Sequence, residues 1–278
     1  MQLHTINTGM FKLDGGAMFG VVPRSMWEKL TTPDSKGLCT WAMRCLLIED
    51  GNKLILIDCG LGDKQDAKFF SHYEPHGDDT LFKSLHNLGF SPNDITDVLL
   101  THLHFDHCGG AIKREGGRLL PTFANATYWS HAKHWDWAIH PNAREKASFL
   151  KENIIPIQES GQLKFLEDGS TEIHPMVKVR TVCGHTESML IPHISHKGHT
   201  IVYCADLLAS RWHIPIPFVM AYDTRPLLTL EEKQQFLPEA ATNNYLLYFE
   251  HDPSMEMCSL KMTDKGVRED DAIRLSEL

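Results

Sequence analysis

Apolar positions in this chain come in short runs bounded by turn residues, the pattern of buried strands rather than long helices. An opening strand is expected within residues 1–13, and Trp41 to Ile48 reads as another. Asp50-Gly51-Asn52 turns that strand into Lys53 to Ile57, a hairpin pattern. Val98-Leu99-Leu100, Ala124 to Tyr128, Val177 to Val182, Thr200 to Cys204 and Tyr245-Leu246-Leu247-Tyr248 continue the series, and Ile154 to Ile157 reads the same way. Helical spacing is rarer. Leu81, Leu85 and Leu88 fall at i, i+4 and i+7 before a Gly89 stop. Ser130 can cap a helix holding His131, His134, Trp135 and Trp137, and Ala143 to Lys151 reads as an exposed helix. Thr229 with Glu232 forms a capping-box pattern opening another. Strands alternating with helices define an α/β chain.

Some stretches fit neither period. Asp14-Gly15-Gly16-Ala17-Met18-Phe19-Gly20 reads as a glycine-rich loop, without the spacing of a phosphate-binding loop. Residues 61–79 are polar with interleaved aromatics and read as a loop. Residues 211–222 are apolar, yet Pro215 and Pro217 forbid a regular helix or central strand. Residues 262–278 are charged and read as a surface element.

The chemistry gathers where the strands end. Directly after Val98-Leu99-Leu100 come His102, His104, Asp106 and His107, four potential metal ligands within six residues. His102 and His104 are two apart, so in extended chain they point the same way. Gly109-Gly110 then lets the backbone fold back closely. A borderline-soft cation such as Zn²⁺ favours imidazole and carboxylate ligands of this kind.

His102-x-His104-x-Asp106-His107 resembles the signature of the metallo-β-lactamase-fold hydrolases. That resemblance implies three further ligands in the order His, Asp, His. Val182-Cys183-Gly184-His185-Thr186 is similar to the family's Gly-His-Thr loop. Tyr203-Cys204-Ala205-Asp206-Leu207 is similar to its bridging-Asp strand end, with Ala205 where Gly is more usual. Phe249-Glu250-His251-Asp252 is similar to the last His. The fold implied is an αββα sandwich of two mixed β-sheets flanked by helices, one domain over residues 1–278. By the same resemblance His102, His104 and His185 hold one divalent metal ion, Asp106, His107 and His251 a second, and Asp206 bridges them. Zn²⁺ is the expected ion, with Fe, Mn or Co as alternatives. Asp58, at the end of its strand, is expected to support the site from behind a ligand His.

The implied reaction is hydrolysis, with a hydroxide shared by two metals as nucleophile and Asp106 passing a proton to the leaving group. Imidazole at His104 disfavours the redox di-iron members, which carry a carboxylate there. Gly-Gly-Ala-Met-Phe-Gly followed by Val-Pro resembles the lactonase and organophosphate-hydrolase branch, most closely the N-acyl-homoserine lactonases and methyl parathion hydrolase. A lactone of the N-acyl-homoserine type is therefore the leading substrate, a quorum-quenching activity. Met18, Phe19, Trp212 and Phe218 are candidates for holding an acyl chain. The chain departs from the lactonases after Asp206, where Leu207-Leu208-Ala209 replaces a carbonyl-directed Tyr; Tyr222 is the candidate substitute. The alternatives are a phosphotriester, carboxylester or thiolester hydrolase on the same scaffold, or a metal-binding sensor without catalysis.

Composition narrows the partners. The 278 residues carry 27 basic and 36 acidic side chains, a net charge of −9, with no basic stripe for a phosphate backbone. Nucleic acid is therefore not an expected partner; a small-molecule ester or lactone is, with a homodimer left open. Seven Cys, an odd number without paired short spacing, argue for free thiols. Cys108, Cys183 and Cys204 stand beside ligand candidates and read as small buried hydrophobes. Met1-Gln2-Leu3-His4-Thr5 has no signal-peptide pattern, and no run reaches the roughly 18 apolar residues of a membrane span. A cytoplasmic protein is expected.

Overall fold

The computed structural model describes residues 1–169 and 172–278. The chain condenses into two compact units, Met1–Met10 with Met43–Ser170, and Phe11–Ala42 with Thr171–Leu278.

The strands in chain order begin with β1 (Gln2–Asp14), β2 (Leu38–Asp50), β3 (Lys53–Ile57) and β4 (Asp97–Leu99). β5 (Ile112–Glu115), β6 (Arg118–Pro121), β7 (Thr127–His131) and β8 (Leu163–Leu166) follow. A six-stranded sheet takes the order β1-β2-β3-β4-β7-β8, and β5 with β6 forms a separate hairpin. β2 and β3 are antiparallel, whereas β3, β4, β7 and β8 run parallel, so the sheet is mixed. Parallel strands put their carboxyl ends on one edge, where open α/β sheets bind ligands. The motif after β4 and Asp58 after β3 both leave from that edge.

The first unit's core explains its helices. Leu47, Leu56, Val98, Leu100 and Tyr128 pack with Leu85, Ile154 and Ile157. Ile154 and Ile157 do not form the expected strand. They lie on the helix Lys151–Glu159 and are buried three residues apart, a helical spacing that a four-residue apolar run does not reveal. The exposed helix expected from Ala143 is absent. Asn142 Oδ1 accepts from the amides of Arg144 at 2.8 Å and Glu145 at 3.1 Å, and this local turn wins. Residues 61–79 contain the helix Ala67–Tyr73, capped by Asp66. The helix Ala132–Ile139 takes His131, not Ser130, as its cap.

The second unit carries β9 (Glu172–His174), β10 (Val177–Val182), β11 (Met189–His196), β12 (His199–Tyr203), β13 (Leu246–Tyr248), β14 (Met257–Thr263) and β15 (Gly266–Ile273). They form a seven-stranded sheet in the order β15-β14-β13-β12-β11-β10-β9. Among the described residues of this sheet only β12 and β13 pair in parallel, joined through the helix Pro226–Thr242. Tyr203 and Tyr248 are register partners with rings stacked at 5.5 Å, which brings two carboxyl ends side by side. The expected glycine-rich loop is instead a short helix, Gly15–Phe19. Asp14 Oδ1 accepts from the Ala17 amide at 2.7 Å and outweighs the flexibility of two glycines. Among the described residues no helix is long and apolar enough to cross a membrane.

Candidate metal centre

In the first unit, Asp58 organises the donors. Its carboxylate accepts from the Thr101 amide at 2.8 Å, the Thr101 hydroxyl at 2.6 Å and His107 Nδ1 at 3.0 Å. Asp58 is fully buried and sits at φ 58°, a left-handed conformation that Asp tolerates better than most residues. The Thr101 hydroxyl donates to Asp58 and so accepts from His102 Nδ1, 3.1 Å away. These bonds hold a proton on Nδ1 and put the lone pair of His102 and His107 on Nε2, the tautomer a metal ligand needs.

His104 caps the single helical turn Phe105–Cys108, which carries Asp106 and His107. The His102 ring lies 4.6 Å from His104 and 3.8 Å from His107, so three imidazoles cluster. His104 turns Nε2 toward Glu145 Oε1 at 3.6 Å. The Leu103 amide, between the two histidines, donates to His134 Nε2 at 2.8 Å. A Cβ on Gly109 would come within 1.9 Å of the Leu61 carbonyl, and one on Gly110 within 2.2 Å of the Cys59 carbonyl. The glycine pair is there for close approach, as expected. Burial pushes the Cys108 thiol up to about 12, so it stays protonated, and all seven thiols are free.

In the second unit, Asp206 faces two imidazoles. Its Oδ2 lies 3.1 Å from His185 Nε2 and its Oδ1 3.3 Å from His251 Nε2. His185 Nδ1 donates to Asp223 Oδ1 at 2.7 Å, and His251 Nδ1 to the Ala42 carbonyl at 2.8 Å. In both rings Nδ1 is the donating side and Nε2 is the side turned toward Asp206. Burial works against charge on His185, but the Asp206 and Asp223 carboxylates outweigh it and raise its pKa to about 10. Asp206 follows Ala205, which takes φ 43° where glycine is the usual residue. Gly184 packs so closely that a Cβ would lie 2.3 Å from Thr229 Oγ1.

The expected capping box at Thr229 is not one. The helix opens at Pro226, and Glu232 accepts instead from the Cys183 and Gly184 amides at 2.6 and 3.1 Å, bracing the loop before His185. Asp223, Glu232, Glu145 and His134 were not legible as site residues, since each is a lone polar residue whose partner is distant in sequence.

Met18 and Phe19 are buried. Phe19 stacks on His213 at 5.4 Å and Trp27 at 5.6 Å and meets Phe218 edge-on at 6.2 Å. Trp212 and Phe218 line a cavity of about 180 Å³ with Leu30, Arg211 and Pro215. Tyr222 is 38% exposed.

Mixed sheets with buried imidazoles and carboxylates at strand ends define a metal-dependent hydrolase. Residues 44–242 match the metallo-beta-lactamase superfamily, and the chain belongs to it. An N-acyl homoserine lactonase of Bacillus thuringiensis is 23% identical over 225 residues, covering 76% of this chain and 82% of that protein. The crystal structure of a probable metal-dependent hydrolase from Staphylococcus aureus superposes with a TM-score of 0.89 at 28% identity, over 98% of this chain and 96% of that one. AidC, a dizinc quorum-quenching lactonase in complex with a product, superposes with a TM-score of 0.77 at 23% identity, over 98% and 94%. The donor chemistry of both units fits divalent cations: buried imidazoles anchored through Nδ1 with Nε2 left to face carboxylates or other imidazoles.

Proposed function

We propose that this chain, with residues 1–278 acting as one functional domain, is a dinuclear metal hydrolase that opens a lactone ring of the N-acyl-homoserine type. His102, His104 and His185 would hold one ion, Asp106, His107 and His251 the other, with Asp206 between them. The observation that carries this reading is the two-sided Asp206 carboxylate, one oxygen toward each of two imidazoles. The buried donors within each unit support it: His102, His104 and His107 cluster their rings in the first, and Asp206 faces His185 and His251 in the second. Zn²⁺ is the ion this nitrogen and oxygen donor set suits best, with Fe, Mn or Co able to substitute.

Two divalent cations held there supply Lewis acidity and a water acidified to a pKa near about 7. The chain's own residues do the rest. The bonds from Nδ1 of His102, His107, His185 and His251 fix each ring. Asp106 would take the proton given up by the attacking water and pass it to the ring oxygen as that oxygen leaves. Trp212 and Phe218 take the acyl arm, against the packing of Met18 and Phe19. Tyr222 reaches the substrate carbonyl, since Leu207-Leu208-Ala209 offers no hydroxyl.

That missing hydroxyl favours a second reading, a phosphotriester, carboxylester or thiolester hydrolase using the same donors. A metal-binding sensor would share the donors and lack turnover. The test is a rate panel of acyl-homoserine lactones, paraoxon-like triesters and thiolesters, with metal content measured on the same sample. Two metal equivalents and a preference for lactones are expected. Fast triester turnover with no lactone hydrolysis would select the second reading, and full metal content without turnover the sensor.

A further inference from the structure

Lys233 lies in the middle of the helix Pro226–Thr242 and is completely buried. A buried ammonium is costly unless all its protons are accepted. Here they are. Nζ donates to the carbonyls of Pro215 at 3.0 Å, Ile216 at 3.2 Å and Phe218 at 2.8 Å. Three consecutive-turn carbonyls converge on one side chain because Pro215 and Pro217 have no N–H and cannot build a ladder. Among the described contacts of this segment, Phe218 N returns to the Pro215 carbonyl at 3.0 Å and Val219 N to the Pro217 carbonyl at 3.1 Å. The turn is therefore wrapped around the ammonium.

The same segment carries the cavity wall. Trp212, Ile214, Pro215 and Phe218, with Leu30, form the apolar part of the lining of the cavity of about 180 Å³, whose remaining lining is Arg211, Arg268 and Glu269. Its other ends are pinned as well. His213 Nε2 donates to the Met18 carbonyl at 2.9 Å, and Ala221 N to the Ala17 carbonyl at 2.8 Å. Between those pins Lys233 is the fastening that lies under Pro215 and Phe218.

We propose that Lys233 is a positioning residue for substrate selection: its three carbonyl bonds hold Pro215–Phe218 in the shape that gives the cavity its room for an apolar substrate arm. This rests on the reading that Trp212 and Phe218 take that arm. Burial drives the Lys233 pKa down toward about 7 while the nearby Asp223 opposes the shift. An uncharged side chain of similar length, as in Lys233→Met, fills the volume but leaves three carbonyls without a donor.

The experiment compares the wild-type holoenzyme with Lys233→Met in two measurements. Backbone hydrogen exchange at Phe218 and Val219 is expected to speed up about tenfold or more, with β12 and β13 unchanged. The KM for a lactone with a ten-carbon acyl arm is expected to rise about tenfold. The KM for an armless butyrolactone, kcat for both and metal content should stay as in wild type. A uniform loss on both substrates would mean a general structural role and would overturn the proposal. So would unchanged exchange, or faster exchange with unchanged KM for the long arm. Where Lys233→Met does not fold, Lys233→Gln, which retains two donors, carries the same comparison. If the wild type opens no lactone, the lactone reading fails on its own, and the exchange measurement still decides whether Lys233 fixes the segment.

Discussion

Asp223 Oδ1 lies 2.7 Å from His185 Nδ1, while the opposite nitrogen of the same ring, Nε2, lies 3.1 Å from Asp206 Oδ2. The imidazole is thus held between two carboxylates, one at each ring nitrogen. Removing the orienting partner frees the ring to rotate and to change tautomer. Asp223→Ala is expected to weaken metal binding by about 10–100-fold while leaving the fold intact. A competition titration with a chelator reads the affinity, and unchanged affinity would remove Asp223 from the site.

Asp58 satisfies a backbone amide, a hydroxyl and the His107 imidazole from a left-handed backbone position. Asp58→Ala leaves a buried amide and hydroxyl without their acceptor, and alanine tolerates that backbone less well. A loss of about 2–4 kcal/mol in unfolding free energy is expected. Asp58→Asn keeps an acceptor and a residue at ease with positive φ, so denaturant titration should find it the milder change.

Gly109 is helical in its dihedrals, so space, not backbone strain, forbids a side chain there. The Leu61 carbonyl would lie 1.9 Å from an added Cβ. Gly109→Ala should therefore cost about 3 kcal/mol or more, since backbone must move on both sides. Thermal unfolding measures this, and a wild-type melting temperature would show that the loop yields freely.

His213 supplies a pH dependence. Burial holds its imidazole neutral, with the pKa down at about 4, although the Met18 carbonyl works the other way. In the unfolded chain an imidazole titrates near about 6.5. Between those values the unfolded chain takes up a proton that the folded chain refuses, so stability rises with pH across the window and falls on acidification through it. In His213→Gln the slope of stability against pH between about 4 and 6.5 should be smaller by about one proton. Equal slopes in the two proteins would contradict a buried neutral His213.

The candidate ligands of the first cluster stand out in the sequence because their pattern is local. His102, His104, Asp106 and His107 crowd one strand end, and that strand is buried on both faces as its apolar run implies. His185 and His251 are candidates through the family resemblance, and each lies just past a strand. Asp58, which meets His107, is legible as a supporting residue from its place at a strand end, but the other supports are not. Asp223, Glu145 and Lys233 look like ordinary surface charges in the sequence, and only the tertiary fold tells which atoms they meet. The misread elements fail for local reasons of the same kind. Ile154 to Ile157 is too short for its period to show, and the Asn142 side chain turns a helix-compatible stretch into a capped turn. Substrate preference is the least local property, since the Pro215–Phe218 wall takes its shape from a lysine fifteen or more residues away.

The measurement that bears most directly on the whole account is the metal content of the purified protein, wild type against Asp206→Ala, by elemental analysis. Two equivalents per chain are expected in the wild type, with one lost on Asp206→Ala and hydrolysis abolished. A wild-type protein that binds at most one equivalent, or an Asp206→Ala protein that keeps two and still turns over substrate, would contradict a paired centre bridged by Asp206.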